Sequence, residues 1–492
     1  MNNKKGELET VATDNDVKSS SEELHQVLDQ AWLEVKDYLV SENGKVVDYK
    51  DRASLAGEMD LLPESDGLSG DGFLKAVKSY LQHSVRTHHS QFFNQLFGGF
   101  NMPAFLGEVL TAATNTSMYT YEVAPAATLI EEAMIREMGR IAGYEKGDGI
   151  FLTGGSNGNM VAMLSARNKK FPYARKRGID SGIRPVAFVS DQAHYSLKTA
   201  ANVLGLGTES VIGVKSDSNG RLIPDALSKE IQRAKERGQT PFFAVATCGT
   251  TLKGAFDPIE EMVSICEQNG LWLHADGSFG GSVVLSDQHR HLVRGLEKTD
   301  SFVWNPHKLM NIPLICSALL MKERGQLKNN ITDVDTDYIF HHTEESDDLG
   351  EKSIQCGRRV DAVKLWLAWK YHGTDGYRKR IDKQLELAAY AEEKVKKTEP
   401  LELMTARQSL TICFRYLPQN HQDLNQFNLV LREKLRKSGK AMVNFSHIGN
   451  ELAIRLAIVN PELEKSDIDH FFDYLNAEGS KLDHAENGLK NG

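Results

Sequence analysis

The sequence lacks most of the features that would place it outside the soluble globular proteins. It has no run of about 18 consecutive apolar residues, so a membrane span is not expected. There is no basic excess: 58 Lys and Arg stand against 67 Asp and Glu, a formal net charge of −9, which argues against a general nucleic-acid binder. Forty glycines and thirteen prolines are too few for a collagenous or low-complexity chain. The five cysteines (Cys248, Cys266, Cys316, Cys356 and Cys413) form no CxxC pair, which makes a disulfide or zinc framework unexpected and fits a reducing, cytoplasmic compartment. The first twenty residues are polar, without the apolar stretch of a secretory signal.

With 492 residues, two or three structural units and a large core are expected. Residues 1–19 read as a disordered tail. At Ser20-Ser21-Glu22-Glu23 a capping-box pattern precedes a helical stripe of Leu24, Val27, Leu28, Ala31, Val35 and Leu39, which could pack on its own chain or on a second subunit. Between about 145 and 325 short apolar runs alternate with helical spacing. The runs are Ile150–Thr153, Val186–Ser190, Phe242–Thr247, Leu271–His274 and Ser301–Trp304. Continuous apolar strands alternating with helices predict an α/β fold with a mostly parallel sheet covered on both faces. After about 370 the chain turns charge-rich and helical. Strand-like runs then follow at Leu410–Arg415 and Leu452–Ile458, with a closing helix near Asp467–Leu475, a smaller α+β domain. The expected division is a tail (1–19), an N-terminal helical arm (20–85), a large domain (86–370), a small C-terminal domain (371–480) and a second tail (481–492).

In such sheets ligands sit beyond the carboxyl ends of the strands, and the polar clusters of this chain fall there. Gly154-Gly155-Ser156-Asn157-Gly158-Asn159, between a strand and a helix, can cradle an anion on free backbone N–H groups or be only a glycine-rich helix cap. Asp276 closes an apolar strand, where a buried carboxylate needs a cation such as a protonated pyridine, or is an N-cap or a local salt bridge. Lys308, in Asn305-Pro306-His307-Lys308, can form a Schiff base if its surroundings lower its pKa, though most lysines are solvated surface charges. His194 can stack on a flat cofactor or be a satisfied loop histidine. Arg455, inside an apolar run, can clamp a carboxylate or simply face outward from a strand. His88, His89, His289, His291, His341 and His342 lack metal-site spacing, and no metal is expected.

Taken together, these segments resemble the pyridoxal-phosphate-dependent group II amino-acid decarboxylases. The similarity is to the glutamate, cysteine sulfinate and aspartate branch rather than the aromatic one. It rests also on Phe92-Phe93-Asn94-Gln95-Leu96, Asn115-Thr116, Tyr119-Thr120-Tyr121-Glu122-Val123-Ala124-Pro125, Gly147–Phe151, Ala246-Thr247 with Gly249-Thr250-Thr251, and Gln355-Cys356-Gly357-Arg358-Arg359-Val360-Asp361. The resemblance implies the aspartate-aminotransferase type of fold, a cytosolic homodimer with shared active sites, and pyridoxal 5′-phosphate as cofactor. It implies that Lys308 holds the cofactor as an internal aldimine, Asp276 pairs with the ring nitrogen, and His194 stacks on the ring. Ser156, Asn157, Gly158, Asn305 and His307 would hold the phosphate, and Thr247 would lie near the ring oxygen. Arg455 would bind the substrate α-carboxylate, while Phe97, Asn94 and Gln95 would line the side-chain pocket.

The expected activity is α-decarboxylation of cysteine sulfinate, aspartate or glutamate. Three departures bear on it. Ser278 stands where the family has alanine, and Gly158 replaces a hydroxyl of the phosphate loop. The segment Phe340–Gly350 has no tyrosine to protonate Cα, although His341 or His342 could serve as the acid. The third departure leaves open an alternative outcome, decarboxylation-coupled oxidative deamination or other chemistry at Cα. Retention of Lys308 and Asp276 speaks against a non-catalytic homologue.

Overall fold

Alternate residues of the apolar strands bury on opposite faces of one sheet. Ile150, Leu152, Ala187, Val189, Phe243, Val245 and Val303 pack into one core cluster, while Phe151, Phe188, Ala244, Ala246, Phe302 and Trp304 pack into another. That two-residue alternation with apolar side chains on both faces is what a sheet sandwiched between helices requires. The computed structural model describes residues 14–485 except 42–43, 64, 332–339 and 341–347. The strands are β1 (Phe92–Phe93), β2 (Asp148–Leu152), β3 (Pro185–Ser190), β4 (Val211–Val214), β5 (Thr240–Thr247), β6 (Trp272–Gly277), β7 (Ser301–Trp304), β8 (Ser317–Met321), β9 (Leu401–Leu403), β10 (Thr411–Tyr416), β11 (Met442–Ile448) and β12 (Glu451–Ala457).

The large sheet has the order β2-β8-β7-β6-β5-β3-β4. Only β8 runs against its neighbours; the remaining pairs are parallel. The carboxyl ends of β2, β3, β5, β6 and β7 therefore open on one edge. The helix Gly155–Lys170 follows β2 directly and covers one face with Val161, Ala162, Met163 and Ala166.

A second sheet, β1-β11-β12-β10-β9, carries the C-terminal segment and is antiparallel apart from β1. β1 lies parallel to β11, pairing Phe92 with Met442 and Phe93 with Val443. Residues 92–93, assigned from sequence to the large domain, thus belong to the small sheet. Two residues are too few to show a period, so only tertiary pairing reveals the strand. The helix Asp361–Lys397 joins the two regions and is interrupted at Gly373 (φ 69°, ψ 170°).

Both expected tails differ from the structure where it describes them. The first helix begins at Asp14 rather than at the Ser20 capping box, and the last runs from Lys465 to Ala485. Helical hydrogen bonding continues through polar residues that the apolar stripe does not reach. Among the described residues no helix is long and apolar enough to cross a membrane, and all five cysteines are free thiols.

Candidate active site

The strand ends converge on a cavity of about 280 Å³. Seven of the residues given a site role from sequence line it: Ser156, His194, Thr247, Asp276, Asn305, His307 and Lys308. Their convergence follows from strand register. Thr247 at the end of β5 lies opposite Asp276 on β6, and Asn305 to Lys308 continue directly from β7.

The cradle is formed by the first turn of the helix Gly155–Lys170. Glycine is required at two places by close approach. A Cβ on Gly155 would lie 2.2 Å from Ser278 Oγ and 2.8 Å from Asn305 Nδ2, and one on Gly158 would lie 2.6 Å from Val303 Cγ2. The Asn305 side chain is oriented from behind, because its Oδ1 accepts from Ser317 Oγ at 2.6 Å. Its Nδ2 is left to face the cradle. Here one expectation is corrected: the Gly158 N–H already donates to Gly154 O at 3.0 Å and closes the first helical turn. The N–H groups left for an anion are those of the first turn before it. Gly158 serves close packing against β7, and the Asn157 amide turns back to donate to Thr153 Oγ1 at 3.1 Å.

The Asp276 carboxylate is 4% exposed. Burial alone would raise its pKa, but hydrogen bonds from Ser278 and Asn159 outweigh burial and hold it below the usual carboxylate range. Ser278 N–H donates to Oδ1 at 3.0 Å and Asn159 Nδ2 to Oδ2 at 2.9 Å. The Lys308 amine is shifted down by burial, with Asp276 opposing the shift and Arg455 adding to it. A lysine so placed is a better nucleophile near neutral pH than a solvated one. His194 is half-buried; burial lowers its pKa, and its Nδ1 accepts from Ser196 N–H at 3.3 Å. Burial and the neighbouring Lys308 push His307 down to about 4, and its Nδ1 is tied to the Cys316 backbone.

Arg455 is 6% exposed on β12. It donates to Thr251 O and Asn94 O, both at 3.0 Å. Its Nε has no partner, and among the described residues no carboxylate pairs with it. Thr251 lines the cavity, so the guanidinium sits at its margin. Asn94, Gln95 and Phe97 follow β1 and do not line the cavity beneath the strand ends. They lie on the small-domain side, joined to Arg455 through the Asn94 carbonyl. Gln95 is exposed and Phe97 packs on Phe92 at 6.4 Å between ring centroids.

Sequence reasoning gave no role to Ser196, Ser317 or Tyr195, and named Asn159 only as the last residue of the glycine-rich motif, without its bond to Asp276. Only Asn159 left a signal: an amide just ahead of the buried Val161–Met163 stretch, 1% exposed. His341 and His342 lie outside the described residues. The Gln355–Asp361 segment is anchored by its buried residues Arg358, Val360 and Asp361, while Cys356, Gly357 and Arg359 are exposed. Arg358 pairs with Glu131 and donates to Met118 O, and Glu131 in turn accepts from Phe151 N–H at 3.0 Å. That ties the segment to β2, whose end carries the cradle.

Comparison with known proteins follows the same lines. The profile described as "Pyridoxal-dependent decarboxylase conserved domain" matches residues 62–417. Cysteine sulfinic acid decarboxylase of Mus musculus is 39% identical over 457 residues, covering 90% of this chain and 92% of the relative. The acidic amino acid decarboxylase of the same species is 37% identical over 454 residues, covering 89% of this chain and 82% of the relative. The crystal structure of mouse CSAD superposes with a TM-score of 0.90 at 38% identity, covering 93% of this chain and 98% of that one. Oryza sativa TDC with PLP and tryptamine has a TM-score of 0.85 at 23% identity over 97% of this chain and 100% of that one, a likeness of fold alone.

Proposed function

The chain belongs to the pyridoxal-dependent decarboxylase family, and from that premise we propose that it is an α-decarboxylase of a small acidic L-amino acid: cysteine sulfinate, aspartate or glutamate. The names of its relatives point to that substrate class. The observation on this chain that carries the reading is Arg455, a buried guanidinium without a carboxylate partner at the edge of the cavity. An unpaired buried cation is costly, and a bound carboxylate removes the cost.

The residues present fit pyridoxal 5′-phosphate. The first-turn N–H groups of Gly155, Ser156 and Asn157, with Ser156, Asn305 and His307 beside them, offer donors to a phosphate. Asp276 is a buried, ionised acceptor suited to a protonated ring nitrogen. Lys308 is an amine of depressed pKa. When bound, the cofactor supplies a conjugated ring that accepts the electron pair left as CO₂ departs.

The chain's own groups do the rest. Lys308, a buried amine of lowered pKa, would hold the cofactor covalently. Asp276 would pair with a protonated ring nitrogen, His194 would offer the ring a flat surface, and Thr247 would serve the ring oxygen. Arg455 orients the α-carboxylate, and Phe97, Asn94 and Gln95 bound the side-chain pocket from the small domain. The enzyme acts as a cytosolic homodimer with shared active sites. Support for the dimer comes from the exposed apolar side chains Met102, Leu106 and Leu110 on the one helix Met102–Thr114. The free cysteines support the reducing compartment.

The test is product analysis on the purified protein with the cofactor and a panel of acidic and diamino acids, measuring gas, amine, aldehyde and peroxide. Stoichiometric CO₂ and amine from an acidic amino acid is the expected result. No CO₂ from any acidic substrate overturns the substrate class. Aldehyde and peroxide in place of amine overturn the simple decarboxylation in favour of its oxidative variant.

A further inference from the structure

Beneath Asp276 lies a row of buried polar side chains to which the mechanism above assigns no part. Trp272, His274 and Asp276 sit at alternate positions of β6 and so share a face. Ser301 on β7 is the register partner of His274. Asn159 comes from the second turn of the helix whose first turn forms the cradle. Trp272, His274, Ser301 and Asn159 are all buried, His274 and Ser301 completely.

The directions in the row are set from its two ends. An indole N–H can only donate, so Ser301 Oγ accepts from Trp272 Nε1 at 2.8 Å. Ser301 can still donate to or accept from His274 Nδ1 at 2.8 Å, so that bond takes its direction from the histidine. At the other end the ionised Asp276 can only accept, which turns Asn159 Oδ1 toward His274 and makes Nε2 the donor to it at 3.0 Å; burial keeps the ring neutral, so Nδ1 accepts from Ser301. In that orientation Asn159 Nδ2 donates to Asp276 Oδ2 at 2.9 Å and to Ser196 Oγ at 3.1 Å. With the amide reversed, two oxygens would face each other and Asp276 would have to take up a proton.

We infer that Asn159 and His274, with Ser301 and Trp272 behind them, form a one-way hydrogen-bond relay that aims the Asp276 carboxylate at the cofactor ring and holds it ionised. They are positioning residues, acting through Asp276. Because Asn159 and the cradle belong to one helix, the same element sets the groups at both ends of the cofactor. Phe243 stacks on His274 with ring centroids 5.8 Å apart and planes 20° from parallel, which fixes the imidazole in the plane that the relay needs.

The inference rests on the cofactor reading, and the two can fail separately. Histidine-selective ¹⁵N spectra of the wild-type apo-protein at pH 7 need neither cofactor nor variant. A neutral His274 protonated at Nε2 is expected; the Nδ1–H tautomer or an imidazolium overturns the relay. In the second experiment pyridoxal phosphate is titrated into apo wild type, Asn159→Ala, His274→Phe and His274→Gln, followed by protein fluorescence. Asn159→Ala and His274→Phe should each raise the cofactor dissociation constant at least tenfold. His274→Gln, which keeps a donor toward Asn159, should recover most of that loss. In turnover kcat should fall more than KM rises. Unchanged cofactor affinity in well-folded Asn159→Ala, or His274→Gln no better than His274→Phe, sinks the relay. Failure of the wild type to take up pyridoxal phosphate would count against the cofactor reading instead.

Discussion

Replacing Arg455 by methionine separates substrate recognition from everything else in the site. The guanidinium has five N–H donors, of which two go to Thr251 O and Asn94 O. The remaining three, the unpartnered Nε–H among them, are available to a bound carboxylate. A charge-assisted pair of this kind in a water-poor setting contributes about 3 kcal/mol. That corresponds to about a hundredfold loss in kcat/KM, expressed mainly in KM because the carboxylate is bound before it reacts. Folding should change far less. The substitution leaves two backbone carbonyls unpaired, at about 1–3 kcal/mol each, but it also removes a buried cation with no counter-ion, and the two effects oppose each other. The decisive assay compares the KM for the amino acid with the inhibition constant of the corresponding amine product, which has no α-carboxylate. Arg455→Met should weaken the first about a hundredfold and leave the second within about threefold; Arg455→Lys, with charge but no fork, should fall between. Equal weakening of both ligands, or a KM that barely moves, would refute the assignment of Arg455 to the α-carboxylate.

Other consequences follow from groups on the page. Breaking the buried Arg358–Glu131 pair with Glu131→Gln leaves a desolvated guanidinium and should cost about 3–5 kcal/mol, read as a lower urea midpoint of the apo-protein; a midpoint within error of wild type would contradict the anchor. Burial brings both His307 and His274 down to about 4. Between about pH 6.5 and 4 the unfolded chain binds protons that the folded chain does not, so stability falls as the pH drops through that window, by about 3 kcal/mol for His307 and with the same sign for His274. Urea midpoints flat from pH 7 to 4 in wild type, or a His307→Gln variant with an undiminished slope, would show these imidazoles are not held neutral. Ser278→Ala removes a side-chain hydrogen bond that helps keep Asp276 ionised, and should weaken the cofactor about fivefold in a fluorescence titration; unaltered affinity would mean the hydroxyl only fills space.

How much of this was legible in the sequence depends on whether a residue's neighbours are close along the chain. The strands of the large sheet are short continuous apolar runs, and the groups at their ends are named by that position alone. Register then brings Thr247, Asp276 and Lys308 into one cavity. The strand Phe92–Phe93 is invisible because its pairing partner lies some 350 residues away in β11. The Gly158 error has a different source: a glycine in a loop motif reads as a free N–H donor until the helix is seen to begin at Gly155 and to claim that N–H for its own first turn. Asn159 was read only as the end of the glycine-rich motif. In that motif it passes for a neighbour of a bound anion, and nothing in the local sequence says that His274 lies beneath it, 115 residues on. The same holds for Arg455, whose strand pattern admits either face until β12 is placed beside the Asn94 carbonyl. Strand ends announce themselves in sequence because the fold puts ligands there; the groups that aim those residues do not, since a hydrogen bond between two buried side chains imposes no spacing on the chain that carries them.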